Sequence, residues 1–205
     1  MPRVPGPVRS YLKLDDRRIA IIGEVYDLGG LRENGMDYIN VVDFKIGTTD
    51  EQFEVIKPFD IFDAVSLGPE LLVVSVKYSG LVRWNTREMY GFDWRVKGEP
   101  VEYLLSGGKG QILAVYFQRD SIFLIEPSDG SVSAEVKLVV PAAGKPAWDG
   151  KHYYIPAEGR ILILDADLNV TSEMPVSGLF GDVRLHLAKE GLYLVDGDSV
   201  HYLQR

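Results

Sequence analysis

The polar residues best suited to do chemistry are concentrated in one stretch near the amino terminus. Asp27-Leu-Gly-Gly-Leu-Arg-Glu-Asn-Gly-Met-Asp37 combines three glycines, an acidic residue at each end, and Arg32, Glu33 and Asn34 between them. Glycine permits backbone movement, and guanidinium, carboxylate and amide groups form directional hydrogen bonds. We predict a mobile polar loop that borders the principal binding site. The alternative is a neutral insertion on a tolerant surface.

Further candidate ligand-binding residues are charged side chains close to predicted turns. They are Lys57, Asp60, Arg119, Asp120, Glu158 and Asp196. Several converging carboxylates could form the acid/base set of a glycosidase- or lactonase-like hydrolase, with or without calcium. The alternative is that they are solvated loop charges. Three or more carboxylates that lie close together and have shifted pKa values would favour the enzyme. Dispersed acidic side chains would favour a binding scaffold.

Sequence motifs for other kinds of chemistry are missing. There is no cysteine, and His152, His186 and His201 show no zinc-binding spacing. No nucleophile elbow and no phosphate-binding loop occurs. Asp165-Ala-Asp-Leu-Asn169 alternates oxygen ligands like the start of an EF-hand loop. It lacks the following glycine and the closing glutamate, so we predict a hairpin turn. We therefore predict no metal, no cofactor and no catalytic residue.

Composition and charge narrow the classes of partner. The chain has 22 basic and 30 acidic residues, a formal net charge of −8. Such a surface repels phosphate backbones, so no nucleic-acid partner is expected. No apolar run is long enough to span a membrane, and the first residues lack the apolar core of a signal peptide. We expect no membrane association and a cytoplasmic location. The lack of cysteine and the few Asn and Gln residues are compatible with a thermophilic source.

The elements that position these residues form an internal repeat. Four segments read alike and recur about every forty residues. They are Leu81-Val-Arg-Trp84, Ile122-Phe-Leu-Ile125, Ile161-Leu-Ile-Leu164 and Val200-His-Tyr-Leu203, and Ile39-Asn-Val-Val42 is a fifth copy. A second apolar run precedes each copy, and glycine-containing turns separate the runs. Short strands at regular spacing indicate an all-β chain.

Each repeat unit contains four predicted strands. Weaker first strands are expected over residues 11–14, 61–66, 101–105, 145–148 and 183–187. The second and third strands are almost continuously apolar, which is typical of strands covered on both faces. Tyr153 and Tyr154 are adjacent on one such strand and should face opposite sides. Trp84 occupies the position of Ile125 and Leu164, which predicts a role in the core.

A forty-residue repeat of four antiparallel strands is typical of a β-propeller blade. Ile122-Phe-Leu-Ile-Glu-Pro-Ser-Asp-Gly-Ser-Val and Ile161-Leu-Ile-Leu-Asp-Ala-Asp-Leu-Asn-Val resemble blades of the quinoprotein-like and YVTN-type propellers. The resemblance covers most of the chain at the level of strand pattern. The tryptophan-docking signature of quinoprotein repeats is missing, so the resemblance implies a fold and no cofactor. We predict an all-β chain with one β-propeller domain, residues 1–205, of five four-stranded antiparallel blades.

The last blade lacks an outer strand, because the sequence ends just after its third strand. Residues 2–8 could supply that strand and close the ring within one chain, although their three prolines suit only an edge. The alternative is an incomplete ring that associates with a second copy. We favour closure within one chain and therefore a monomer, with a dimer if the ring does not close.

The resemblance also implies where binding takes place. In propellers, the loops that join second to third strands, and each blade to the next, gather on one face around the channel. We call this the mouth face; all the candidate residues named above are expected on it. The leading hypothesis is a non-enzymatic scaffold that recognises a protein or a small ligand there. The small hydrolase remains the alternative.

Overall fold

The computed structural model describes residues 3–27, 32–44, 54–56, 60–77, 80–86, 92–96, 100–116, 118–177, 183–197 and 199–204. Within these ranges the chain is all-β apart from one 3-10 turn at Gly108–Gly110. Twenty strands form five four-stranded sheets, the blades of a five-bladed β-propeller. The chain divides into two compact units, Met1–Pro100 and Val101–Arg205. The predicted fold class is confirmed.

The first unit contains two blades whose strands pair in chain order. The first blade consists of β1 (Arg3–Lys13), β2 (Arg18–Asp27), β3 (Arg32–Asp43) and β4 (Glu54–Ile56). The second consists of β5 (Ile61–Ser66), β6 (Leu71–Val76), β7 (Gly80–Asn85) and β8 (Phe92–Val96). All neighbouring strands are antiparallel. Trp84 is buried in the apolar core of this unit beside Leu72 and Val74, as predicted.

The amino-terminal segment belongs to the first blade, which corrects the expectation that residues 2–8 complete the last one. Arg3 pairs with Asp27 and Val4 with Tyr26, at the far end of the β1–β2 ladder. Two register shifts, between Pro5 and Val8 and between Val8 and Ser10, accommodate the prolines. The turn after β1 is short, so this pairing closes a far smaller loop than pairing with the last blade would.

The second unit contains three blades. The third blade consists of β9 (Val101–Ser106), β10 (Ile112–Tyr116), β11 (Ser121–Ile125) and β12 (Val132–Lys137). Two short strands follow, β13 (Gly144–Lys145) and β14 (Ala147–Trp148). The fourth blade consists of β14, β15 (Tyr153–Ala157), β16 (Arg160–Leu164) and β17 (Val170–Pro175). The fifth contains β18 (Val183–Leu187), β19 (Gly191–Asp196) and β20 (Ser199–Gln204), with β13 added beside β18.

The strand predicted over residues 145–148 is divided between two blades. Gly144 and Lys145 pair in parallel with Val183 and Arg184 of β18. After Pro146, β14 pairs with β15 in the antiparallel sense. A Cβ atom on Gly144 would collide with the Val183 carbonyl, so this close approach requires glycine. The fifth blade therefore gains its fourth strand on the β18 side, and β20 is the last strand of its sheet.

The fourth blade is packed on both faces. All five residues of β15 are buried, and successive residues of a strand point to opposite sides. Tyr153 and Ile155 pack in a core with residues of the third blade such as Leu113. Tyr154 packs in a separate core with residues of the fifth blade such as Leu192. This confirms that the two adjacent tyrosines face opposite sides.

Candidate functional site

The hairpin formed by β2 and β3 in the first blade is longer than the corresponding hairpins of the other blades. β2 continues to Asp27 and β3 begins at Arg32, with Tyr26 paired to Arg32 and Glu24 to Asp37. Arg32, Glu33 and Asn34 thus lie in a strand, which corrects the predicted polar loop over residues 27–37. Only residues 28–31 of that stretch lie outside the described structure. The predicted role of this hairpin in binding stays a prediction.

Asp37 lies inside the first unit and is fully buried. Its Oδ2 accepts a hydrogen bond of 2.5 Å from the Ile61 N–H at the start of β5. Arg9 Nη1 of β1 lies 3.4 Å from the same oxygen, and Arg9 Nη2 donates to the Ile61 carbonyl. A buried carboxylate with an arginine partner fits a structural contact between the first two blades. It does not offer an accessible ligand.

Asp60 lies beside the second blade, immediately before β5. Its carboxylate is 3.3 Å from Lys77 Nζ, and its carbonyl accepts a 2.9 Å hydrogen bond from the Lys77 N–H. These contacts join the start of β5 to the end of β6. Lys57 lies outside the described residues.

Arg119 lies in the loop between β10 and β11, with a left-handed backbone (φ 61°). Its Nε donates to Glu102 Oε2 at 2.7 Å, and its Nη2 donates to Glu102 Oε1. The guanidinium carbon lies 5.3 Å from the centroid of the Tyr103 ring. The two hydrogen bonds to the Glu102 carboxylate and the face of the Tyr103 ring orient the guanidinium group. Arg119 is therefore held in one position, with part of its side chain still accessible to solvent.

A crossover segment, residues 138–143, passes beside this loop on its way to β13. The Leu138 and Ala142 N–H groups donate to the carbonyls of Asp120 and Arg119, both at 2.7 Å. Further along, the Ala143 N–H donates to Pro156 at 2.7 Å, and the Ala143 carbonyl accepts from Val183 at 3.0 Å. These backbone bonds connect the crossover to the third, fourth and fifth blades.

Val139 projects from this anchored crossover. It is 99% exposed, whereas Leu138 and Ala142 on either side are buried. Among the described residues, most of the large apolar side chains that are exposed lie on strands, where neighbouring side chains flank them. Val139, Glu102 and Tyr103 were not predicted from the sequence. An apolar Val139-Val-Pro sequence between two predicted strands was the available signal.

The other candidates of the second unit lie at the ends of its hairpins. Asp120 accepts from Ser121 Oγ at 3.3 Å and lies 3.9 Å from Lys137 Nζ. Glu158 is exposed in the turn between β15 and β16. A β-bridge from Ala142 to Ala157 brings the crossover beside that turn. Asp196 ends β19. Arg119, Asp120 and Glu158 thus flank the crossover.

The turn at Asp165 confirms the hairpin prediction. Asp165 Oδ1 accepts hydrogen bonds of 2.9 Å from the N–H groups of Asp167 and Asn169. Hydrogen bonds from the Asn169 side chain and backbone hold the pKa of Asp165 below its ordinary value. The carboxylate therefore stabilises the turn between β16 and β17.

In the part of the chain that the structure describes, no group of three or more His, Asp or Glu side chains is arranged to hold a metal ion. No helix among these residues has the length and apolar character needed to cross a membrane.

Comparisons with known proteins give a structural likeness only. No protein-family model matches the sequence, and no curated protein sequence matches it. A chain of the mitotic checkpoint complex superposes with a TM-score of 0.69 at 10% identity, over 97% of this chain and 74% of that one. Kluyveromyces lactis Hsv2p gives a TM-score of 0.62 at 12% identity, over 97% of this chain and 75% of that one.

BamB from Moraxella catarrhalis gives a TM-score of 0.57 at 16% identity, over 95% of this chain. This chain spans only 60% of the length of BamB. At such low identities the likeness carries no information about a shared activity. What these structures have in common with this chain is the β-propeller fold.

Proposed function

We propose that the protein is a non-enzymatic interaction scaffold that recognises a protein partner through the crossover of its second unit. The binding surface consists of Val139 and the flanking side chains of Arg119, Asp120 and Glu158, and we call it the crossover surface. The observation that carries the proposal is the 99% exposure of Val139 on a segment whose backbone is held by three blades.

Rigid presentation of an apolar side chain favours binding. Val139 contributes almost nothing to the core of the free protein, and a partner that covers it removes its apolar surface from water. Its backbone is already ordered, so little conformational entropy is lost on association. The turns bonded to the crossover carry the charged residues Arg119, Asp120 and Glu158, which suit the polar rim that surrounds the apolar centre of protein interfaces.

The fold that this chain shares with its structural neighbours is compatible with a scaffold. One of them is a component of the mitotic checkpoint complex, an assembly of several proteins. The likeness at 10% identity extends to the fold, and the fold presents loops on a rigid frame.

The test is a substitution that changes the crossover surface and leaves the core intact. We expect Val139→Asp to keep the thermal midpoint and to weaken partner binding at least about tenfold, as expected for a residue at an interface centre. Partners captured from an extract of the source organism are identified by mass spectrometry, purified, and titrated against both proteins by calorimetry.

Val170→Asp is the matched control. Val170 is 52% exposed on β17 of the same unit, so the same chemical change is made away from the crossover. The control should bind as the unmodified chain does. If a purified partner binds Val139→Asp with unaltered affinity, the crossover surface is not the binding site.

A further inference from the structure

The fifth blade leaves the outer edge of β20 without a strand partner within the described residues. Its strand order is β13-β18-β19-β20, so β20 is the last strand of its sheet. In the third and fourth blades, the corresponding strands β11 and β16 are covered by β12 and β17. An open edge presents backbone N–H and C=O groups that can pair with another strand.

The last strands of the other two blades in this unit carry features that discourage such pairing. β12 contains Glu135 and Lys137, and its ladder shifts register between Leu124 and Ile125. β17 contains Glu173 and ends at Pro175, and its ladder also shifts register. Charges, prolines and bulges at an edge oppose strand addition.

β20 has none of these features. Its sequence, Ser199-Val-His-Tyr-Leu-Gln204, contains no acidic residue, lysine, arginine or proline. It pairs with β19 without a register shift from Gly191↔Gln204 to Asp196↔Ser199. One face of the blade also presents apolar surface to solvent: Val200 is 66% exposed, Tyr202 49% and Tyr193 36%. This edge is regular, lacks acidic residues, lysine and arginine, and carries exposed apolar side chains on one face.

The register of the hairpin shows which backbone groups of β20 point outward. Two residues connect the paired Asp196 and Ser199, and Gly197 has the positive φ (55°) of such tight turns. The pair that closes a two-residue hairpin is a hydrogen-bonded pair, and such pairs alternate along the ladder. The N–H and C=O groups of Val200, Tyr202 and Gln204 therefore point away from β19.

We propose that the open edge of β20 pairs with the β20 of a second copy of this chain. A two-fold axis beside Tyr202 aligns the outward-facing groups of the two strands in antiparallel register. Tyr202 then lies opposite Tyr202 of the second copy, and Val200 lies opposite Gln204. This interface is independent of the crossover surface.

Self-pairing fits this strand because β20 contains no acidic residue, lysine or arginine. A two-fold axis pairs the strand with a copy of itself, so a charged side chain at the axis would face its like across the interface, which is destabilising. Tyr202 is also already positioned: its ring lies 5.1 Å from that of Tyr193, and its hydroxyl donates to the Glu190 carbonyl at 2.7 Å. The tyrosines of both copies form one apolar strip across the joined sheets.

Sedimentation equilibrium of the full chain over about two decades of concentration tests the proposal. We expect a monomer–dimer equilibrium with dimer at the upper end. Monomer throughout the range would overturn the proposal. That result is expected if the ring closes within one chain, or if the edge pairs with a different protein, because the isolated chain is then monomeric.

Two charge variants test the register. Tyr202→Lys and Tyr202→Glu should each weaken dimerisation at least about tenfold, because like charges then face each other across the axis. An equimolar mixture of the two should dimerise again, a recovery that a folding defect would not produce. Val170→Lys on β17 is the matched control and should dimerise normally. Dimers of either single variant at unaltered affinity, or no recovery on mixing, would contradict the β20 interface.

Discussion

The fourth and fifth blades come from the same repeat but differ in how their faces are covered. Every residue of β15 is buried, whereas in β19 the exposed Tyr193 lies between the buried Leu192 and Leu194. The fourth blade lies between two apolar cores. The fifth packs against the fourth on one face and presents polar and aromatic side chains on the other.

The difference is already encoded in side-chain pattern. In the fourth blade, Tyr153-Tyr-Ile-Pro-Ala157 is continuously apolar. In the fifth blade, a row of polar and aromatic side chains, His186, Tyr193 and Tyr202, crosses β18, β19 and β20. A blade buried on both faces derives its stability from packing, and a blade with one exposed face keeps surface available for association. The two blades should therefore respond differently to the same kind of substitution.

The largest effect is expected in the core of the fourth blade. Ile155→Ala removes a fully buried side chain of β15 and should lower the free energy of unfolding by about 3–4 kcal/mol. Tyr193→Ala in the fifth blade should cost less than about 1 kcal/mol, because its side chain is part-exposed. Urea denaturation at low protein concentration measures both. Equal losses would mean that the two blades are equally well packed.

An intermediate effect is expected at the junction of the third and fourth blades. The Tyr153 hydroxyl accepts a 2.8 Å hydrogen bond from the Gly108 N–H. Tyr153→Phe leaves that N–H without this acceptor, which should cost about 1–2 kcal/mol at neutral pH. Urea denaturation again measures the difference. A variant as stable as the unmodified chain would show that the hydrogen bond contributes nothing.

The same variant tests how the free energy of unfolding depends on pH. Burial raises the pKa of Tyr153 in the folded chain, because the phenolate is poorly solvated there. The stability linked to this group is present below the unfolded pKa of about 10 and is lost as pH rises through the folded pKa. The stability difference between the unmodified chain and Tyr153→Phe should therefore narrow above about pH 10. A constant difference up to the alkaline end would contradict this assignment.

The smallest effect is expected from a surface charge between the same two blades. Lys109 and Asp167 form an ion pair, and both side chains are more than half exposed. Asp167→Asn should change the free energy of unfolding by less than about 0.5 kcal/mol, and added salt should make no further difference. Thermal melts at two salt concentrations measure this. A loss as large as that of Ile155→Ala would show that surface charge, rather than the apolar core, joins these blades.

Much of the fold could be predicted because its signals are local. β5 and β18 begin and end at the predicted residues, 61–66 and 183–187. Period-two alternation and turn glycines depend only on neighbouring residues. The pairing of residues 3–8 with β2 was missed because proline-rich composition does not indicate a partner strand.

The candidate site was predicted less completely. Arg119, Asp120 and Glu158 lie beside the crossover, but the stretch predicted to be a polar loop, residues 27–37, is largely strand, and Asp37 is buried. Composition suggested a loop there, while the extended ladder between β2 and β3 satisfies the backbone hydrogen bonds of both strands. Val139 was missed because exposure of an apolar residue depends on what surrounds it.

The sequence by itself determined that this chain is an all-β repeat protein, where most strands lie, and which strands are apolar on both faces. Those properties follow from the order of apolar, polar and turn-forming residues along the chain. Only the tertiary structure decided that β13 joins the fifth blade, that β20 is left at an edge, and that Val139 is exposed. The physical reason is that strand partners and exposure arise from contacts between distant segments. Each such contact forms only where the free energy gained by packing exceeds the entropic cost of closing the intervening loop.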